Sequence, residues 1–201
     1  MIHLLVLSAV ENMESLKNAI SQMISISENE AKEFTSMCYG RKFKKKEILS
    51  DDDRFIDEVY FIEKGILRVK IIDLEGKEHT THFAVENQFI ADYNAFLTQQ
   101  KSRYQLEAME NTEVIVLPRK AIEWGYKNMS DGQKLGRLIA EYYFVYMDTR
   151  IQNLYTLSPI ERYNLMDEIF PNIHNRVPQH MIASYLGVTP IHLSRIKKQL
   201  L

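Results

Sequence analysis

The residues best suited to chemistry lie near the end of the chain, in the stretch 179–198. Two short helices can cross at a steep angle only where their facing sides are apolar, the crossing residue is small and the turn accepts positive φ. Ile182, Leu186, Val188, Leu193 and Ile196 supply the facing sides, Ala183 the crossing point and Gly187 the turn. Thr189 and Pro190 follow as an N-cap and a first helical residue, so a second helix starts there. This is the spacing of a helix-turn-helix, whose second helix lies in the DNA major groove with its N-terminal turns toward the bases. The outward candidates are Thr189, Ile191, His192, Ser194 and Arg195. Arg195 can grip O6 and N7 of guanine together, a contact worth about 1–3 kcal/mol of discrimination. Thr189 and the free amides at the helix start suit a backbone phosphate, as do Lys197 and Lys198. The plain alternative is a helical hairpin in an ordinary core, with both lysines on a solvated helix end. His174 and His180 are expected at the surface rather than in catalysis.

Something must hold such a reading unit. Ser158-Pro159 opens a fresh helix over Ile160–Phe170, and Pro171 and Pro178 divide the tail into three short helices. Before it, the stretch from Asp131 to Leu157 contains no proline and reads as one helix of roughly 40 Å. Apolar residues spread around nearly its whole circumference, so it must be buried on more than one side. One side can pack on the preceding unit. The simplest use of the other is a second copy of the same helix across a two-fold axis, through Leu135, Leu138, Tyr142 and Val145. From about Tyr39 to Pro118 the pattern is one of short β-branched and aromatic runs separated by turn residues. In Ile66–Ile71, Leu67, Val69 and Ile71 alternate with Arg68 and Lys70, the period of a half-buried strand. Further strands are expected near 79–84, 103–109 and 113–117, which together suggest a closed β-roll. Residues 11–35 read as one or two amphipathic helices through Leu16, Ile20, Met23, Ile24 and Ile26.

Composition narrows the function class. Of 201 residues, 45% are apolar and 26% charged, which excludes disorder and collagen-like repeats. The net charge is −2, yet from Tyr155 onward five basic residues face three acidic ones, so the small tail carries +2 and the remainder −4. The single cysteine, Cys38, can form no intrachain disulfide and no zinc or iron–sulfur site by itself, which fits a reducing cytoplasm. The opening MIHLLVLSAV has no basic n-region and meets Glu11 too soon for a cleavage site, so an apolar lead-in is expected rather than a signal peptide. No apolar run is long enough to span a bilayer, so no membrane partner is expected.

The tail runs Leu157-Ser158-Pro159, Arg162-Tyr163, Arg176-Val177-Pro178, Ile182 to Pro190 and Leu193-Ser194-Arg195-Ile196. With Tyr60 to Val69 in the roll, it resembles the Crp/Fnr superfamily of bacterial transcription regulators over about residues 11–201. The resemblance implies an α+β fold: an N-terminal antiparallel β-roll (a double-stranded β-helix of the cyclic-nucleotide-binding type) over 11–130, a long dimerisation helix over 131–157 and a C-terminal helix-turn-helix domain over 158–201. It implies a homodimer on double-stranded DNA, Arg195 in the place of the guanine-reading arginine, and RNA polymerase as a partner if the protein activates. Members that bind cyclic AMP carry a Phe-x-Gly-Glu cassette and an arginine ten residues after the glutamate. Here the sequence is Phe89-Ile90-Ala91-Asp92, with Ser102 in the arginine's place and Arg103 one step away, on the opposite strand face. Cyclic AMP is therefore not expected to bind. A different small-molecule effector would be sought at Phe89, Asp92, Tyr93, Ser102, Arg103 and Tyr104, and a vestigial roll filled by its own side chains is the alternative. The wing strands that normally follow the recognition helix have no counterpart before Leu201.

Two rival classes make different demands on the residues. A metal-dependent enzyme of the cupin kind would use Gly76, His79, His82 and Glu86, but His79 and His82 are three apart and fall on opposite faces of one strand. A ligand-binding or scaffolding roll that has lost DNA binding would show no salt-sensitive affinity for duplex. The reading is a DNA-binding regulator and not an enzyme, with no catalytic residue, metal or cofactor.

Overall fold

The computed structural model of the chain describes residues 13–200; the apolar lead-in before Met13 lies outside them. Two amphipathic helices open the fold, α1 (Glu14–Met23) and α2 (Glu28–Ser36). The second starts on a capping box in which Ser27 accepts from the Glu30 N–H and Glu30 accepts from the Ser27 N–H. Eight strands follow: β1 (Tyr39–Phe43), β2 (Ile48–Ser50), β3 (Glu58–Lys64), β4 (Leu67–Ile72), β5 (Glu78–Ala84), β6 (Phe89–Ile90), β7 (Gln105–Ala108) and β8 (Thr112–Pro118), with the short helix α3 (Tyr93–Thr98) between β6 and β7. The remaining helices are α4 (Arg119–Asn128), α5 (Gly132–Thr156), α6 (Pro159–Ile169), α7 (Ile173–Arg176), α8 (Gln179–Leu186) and α9 (Pro190–Gln199). The tail thus holds four helices rather than three: one extra turn, α7, forms between Pro171 and Pro178.

All strand pairs are antiparallel, in two four-stranded sheets ordered β1-β8-β3-β6 and β2-β7-β4-β5. The roll interior lies between them, packed by Tyr60, Ile62, Leu67, Val69, Leu106, Val114 and Val116. The outer face of the first sheet is also buried. Val59, Phe61, Ile115 and Leu117 meet Leu16, Ile20, Phe34, Ala121 and Leu135 from α1, α2, α4 and α5. This is why Val59–Ile62 and Val114–Leu117 are unbroken apolar runs rather than alternating ones.

The outer face of the second sheet takes the tail. Ile66, Phe83, Val85 and Met109 form one core with Met166, Phe170, Ile182, Tyr185 and Leu193. The expectation that Arg68 and Lys70 face solvent therefore fails. Arg68 is 2% exposed and donates to Thr80, Glu78 and Glu107, while Lys70 donates to Glu78 at 2.6 Å. A buried cation needs such partners, because removing one would strand its charge in a low dielectric. Beside this cluster the Thr80 N–H donates to Ser184 Oγ on α8 at 2.9 Å. Arg176 meanwhile holds Glu86 at 2.6 and 3.0 Å and also reaches Glu110.

Helix α5 covers 25 residues without a break. One side packs on the roll through Leu135, Leu138 and Ile139. The opposite side is an uncovered apolar stripe at spacings of three and four, through Phe144 (73% exposed), Met147, Ile151 and Tyr155 (87%). Among the described residues no helix is long and apolar enough to cross a membrane.

Candidate nucleic-acid interface

Helix α8 ends at Gly187, whose φ of +69° lets the Val188 N–H reach back to the Ala183 carbonyl at 3.0 Å. That bond and the left-handed residue make a Schellman-type stop. A Cβ on Gly187 would meet only Leu154 Cδ2, at 3.5 Å, so glycine is required by the backbone angle and not by space. Thr189 then caps α9 by accepting from the His192 N–H at 3.2 Å, with Pro190 in the first helical position. Leu193 turns inward into one core with Ile182, Ala183 and Leu186, and Ile196 is buried as well, which fixes the roll of α9 about its axis.

With that side fixed, the outward side follows from 100° per residue. Ile191, Arg195 and Lys198 form its centre, flanked by His192 and Ser194, and all five are exposed, as is Thr189. Ile191 is 69% exposed, a large apolar side chain with no intramolecular partner face. Lys197 differs: it lies near the inner edge and is half-buried. Arg195, Lys197 and Lys198 make no ion pair among the described residues, so their charge is available to an external anion. His180 is exposed as expected, but His174 is not a surface residue. It stacks on Tyr163 at 4.0 Å, and burial pulls its pKa below the usual histidine range.

Two residues without an assigned role in the sequence reading tie this unit to α5. Arg162 donates to the Leu157 carbonyl at 2.6 Å, to Leu154 at 3.3 Å and across to Leu186 at 3.0 Å, joining the C-terminal ends of α5 and α8. Arg150 lies 4.4 Å over the Tyr185 ring and donates to the Tyr185 carbonyl at 2.8 Å. Arg162, one helical turn beyond the Ser158 cap, could have been noticed as a residue able to reach back to the preceding helix end. Arg150 has no such signal, because its partner is distant in sequence.

The dimerisation residues divide. Tyr142 and Val145 are exposed, but Leu135 is buried in the subunit's own core and Leu138 packs against it. Leu135 is thus committed to the subunit's own core, while Leu138 is only half-buried; the uncovered stripe is Phe144, Met147, Ile151 and Tyr155.

The effector candidates also divide. Asp92 and Ser102 come together inside the roll, with Ser102 Oγ donating to Asp92 Oδ2 at 2.7 Å while Oδ1 accepts from the Ala95 N–H and caps α3. Phe89 packs at a tilt against Phe61, and Tyr93 against Tyr143 with ring centroids 4.5 Å apart. The Tyr143 hydroxyl donates to the Phe89 carbonyl at 2.9 Å, drawing α5 over the cassette. Tyr104 is half-buried against the interior and Arg103 is exposed. The buried groups of the cassette are thus a carboxylate and a hydroxyl that satisfy each other. His79 and His82 do not converge: His79 pairs with Asp73 at 2.6 Å, whereas His82 shares a hydrogen bond with the Tyr146 hydroxyl at 2.8 Å. Among the described residues no group of three or more His, Cys, Asp or Glu could hold a metal.

Comparison with known proteins places this geometry. Residues 40–129 match the family described as cyclic nucleotide-binding domain. No curated protein matches the chain in sequence. Solved structures share the fold at low identity. FixK2 from Bradyrhizobium japonicum superposes with a TM-score of 0.69 at 16% identity, covering 81% of this chain and 84% of that one. CLP of Xanthomonas campestris, described as a c-di-GMP responsive global regulator, gives 0.66 at 13% identity over 87% and 91%. A protein from Eubacterium rectale assigned to the Crp/Fnr family of transcriptional regulators gives 0.66 at 16% identity over 87% and 83%.

Proposed function

We propose that this chain, which carries a cyclic nucleotide-binding-type domain and has the Crp/Fnr regulator fold, is a homodimeric, sequence-specific DNA-binding transcription regulator of the cytoplasm. The observation that carries the reading is α9: a capped helix with its apolar side locked inward and Ile191, Arg195 and Lys198 aligned outward without partners. Arg195 reads guanine, Ile191 meets a thymine methyl, and Thr189, His192, Ser194, Lys197 and Lys198 serve the neighbouring bases and phosphates. The stripe Phe144–Met147–Ile151–Tyr155 pairs with its copy and sets two α9 helices about one DNA turn apart, roughly 34 Å. The protein acts by binding rather than catalysis.

The cassette argues against cyclic AMP as effector. A cyclic phosphate would meet the buried Asp92 carboxylate with no cation beside it, since Arg103 lies outside. An effector of the roll would act by its differential affinity for the arrangements of the tail.

The test combines assembly and binding. Sedimentation should give a dimer, and the double variant F144E/I151E should give a folded monomer. Fluorescence anisotropy with a labelled duplex should show wild-type affinity falling steeply with salt, as counterion release requires. The monomer should lose at least about tenfold in affinity. A wild-type dimer with no salt-sensitive duplex affinity would instead favour the scaffolding alternative.

A further inference from the structure

Five described arginines escape full exposure, and they differ in one respect. Arg68, Arg119 and Arg176 each pair with a carboxylate. Arg150 and Arg162 pair with none among the described residues. Their partners are backbone carbonyls at the ends of α5 and α8, which offer about half an elementary charge each and cannot neutralise two guanidinium ions. Each also keeps a buried Nε–H with no acceptor. Burial, and after it the nearby Arg150 charge, lowers the pKa of Arg162.

Both side chains line a cleft of about 470 Å³ between α5, α6 and α8, within the usual size of small-molecule sites. Its other walls are mostly apolar or aromatic, through Val145, Met166, Tyr146 and Tyr185, with Gln88, Thr149 and Asn153 as uncharged polar residues. Glu168 also lines the cleft, is exposed and forms no ion pair with either arginine among the described residues. Except for Leu154, at about 60–80°, the cleft residues of α5 lie about 100–180° around the helix from Phe144 and Ile151. A second copy centred on Phe144 and Ile151 therefore meets the cleft only at its Leu154 edge.

We propose that this cleft binds a small organic anion, a carboxylate or phosphate carried on an aromatic body, with Arg150 and Arg162 as its cationic end. It is separate from the roll's cassette. Because it is built from the end of α5 and from the helices that carry α9, an anion there fixes the reading unit against the dimer helix. That regulatory consequence rests on the DNA-binding reading; the binding itself does not.

Isothermal titration calorimetry of the full chain, without DNA, tests it with phenyl phosphate, benzoate, inorganic phosphate and neutral benzyl alcohol. Phenyl phosphate and benzoate should bind at one site per chain, and the alcohol and inorganic phosphate at least about tenfold more weakly. R150Q removes one charge, and T149W places a bulky ring in the cleft from an exposed position while leaving both charges in the chain. Each should weaken phenyl phosphate by about tenfold or more. Absence of aryl-anion binding at millimolar concentration would overturn the proposal, as would binding that neither variant changes. Inorganic phosphate binding as tightly as phenyl phosphate would overturn the aromatic assignment. If the aryl anions bind as expected but leave duplex affinity unaltered, the site stands and its regulatory role falls.

Discussion

Arg176 is the strongest polar tie between the helical tail and the roll, and replacing it by methionine removes the charge while keeping much of the stem. Its guanidinium meets Glu86 at 2.6 and 3.0 Å and reaches Glu110, and Glu86 accepts a further bond from the Gly65 N–H at 2.9 Å. Burial alone would raise the Glu86 pKa, but these donors outweigh it and leave the carboxyl at about 2 against an ordinary 4.5. At 1.36 kcal/mol per unit the full shift is worth about 3 kcal/mol. The Glu86 side chain is 34% exposed, so solvent screening reduces this, and the expected loss in R176M is about 2 kcal/mol at pH 7. The sign with pH follows. Because the folded pKa is depressed, the contribution is complete above pH 4.5 and is lost as pH falls toward 2. The difference between wild type and R176M should therefore shrink to below half its neutral value, about 0.8 kcal/mol, by pH 3. Urea unfolding followed by the fluorescence of Trp124, the single tryptophan, measures both points. A difference under about 0.5 kcal/mol at pH 7, or one that does not change with pH, would refute the interdomain tie.

Further outcomes follow from other sites. Burial, with help from the Arg150 charge, holds His82 at about pKa 3, so the folded chain keeps it neutral while the unfolded chain protonates near 6.5. Stability should fall by up to about 2 kcal/mol between pH 6.5 and 5, and H82Q should flatten that slope in urea midpoints; equal slopes would exclude His82 as the cause. Two glycines with positive φ should respond differently to alanine. At Gly65 (φ +105°) a Cβ would sit 2.5 Å from Thr112 Oγ1 and 2.8 Å from its Cα, so G65A should cost about 3 kcal/mol or more. G187A meets only ordinary contact and should cost about 1 kcal/mol of backbone strain. A thermal melt in which G187A is the more damaging would contradict both accounts.

What the sequence made legible was chiefly local. Ser158-Pro159, Gly187, Thr189-Pro190 and the inward pair Leu193 and Ile196 act within a turn or two of chain, and the structure uses each in the manner their chemistry dictates. The roll could be recognised because short strands punctuated by Asp and Gly have few other outcomes. What was hidden was long-range. Arg68 and Lys70 read as a solvent face because nothing in the alternation shows that Glu78, Glu107 and the tail will cover them. Leu135 reads as a dimer residue because a helix apolar all round does not reveal which side its own roll takes. His174 was misplaced for the same reason, since its partner Tyr163 lies on another helix.

The central claim is that α9 reads bases through Arg195, and selection of bound fragments from random duplex DNA, performed with wild type and R195A, tests it most directly. Wild type should return an inverted repeat with half-sites about 10 base pairs apart and an invariant guanine in each. R195A should lose that guanine preference at a cost of about 1–3 kcal/mol per half-site. An identical consensus from both proteins, or no consensus from wild type, would contradict the account.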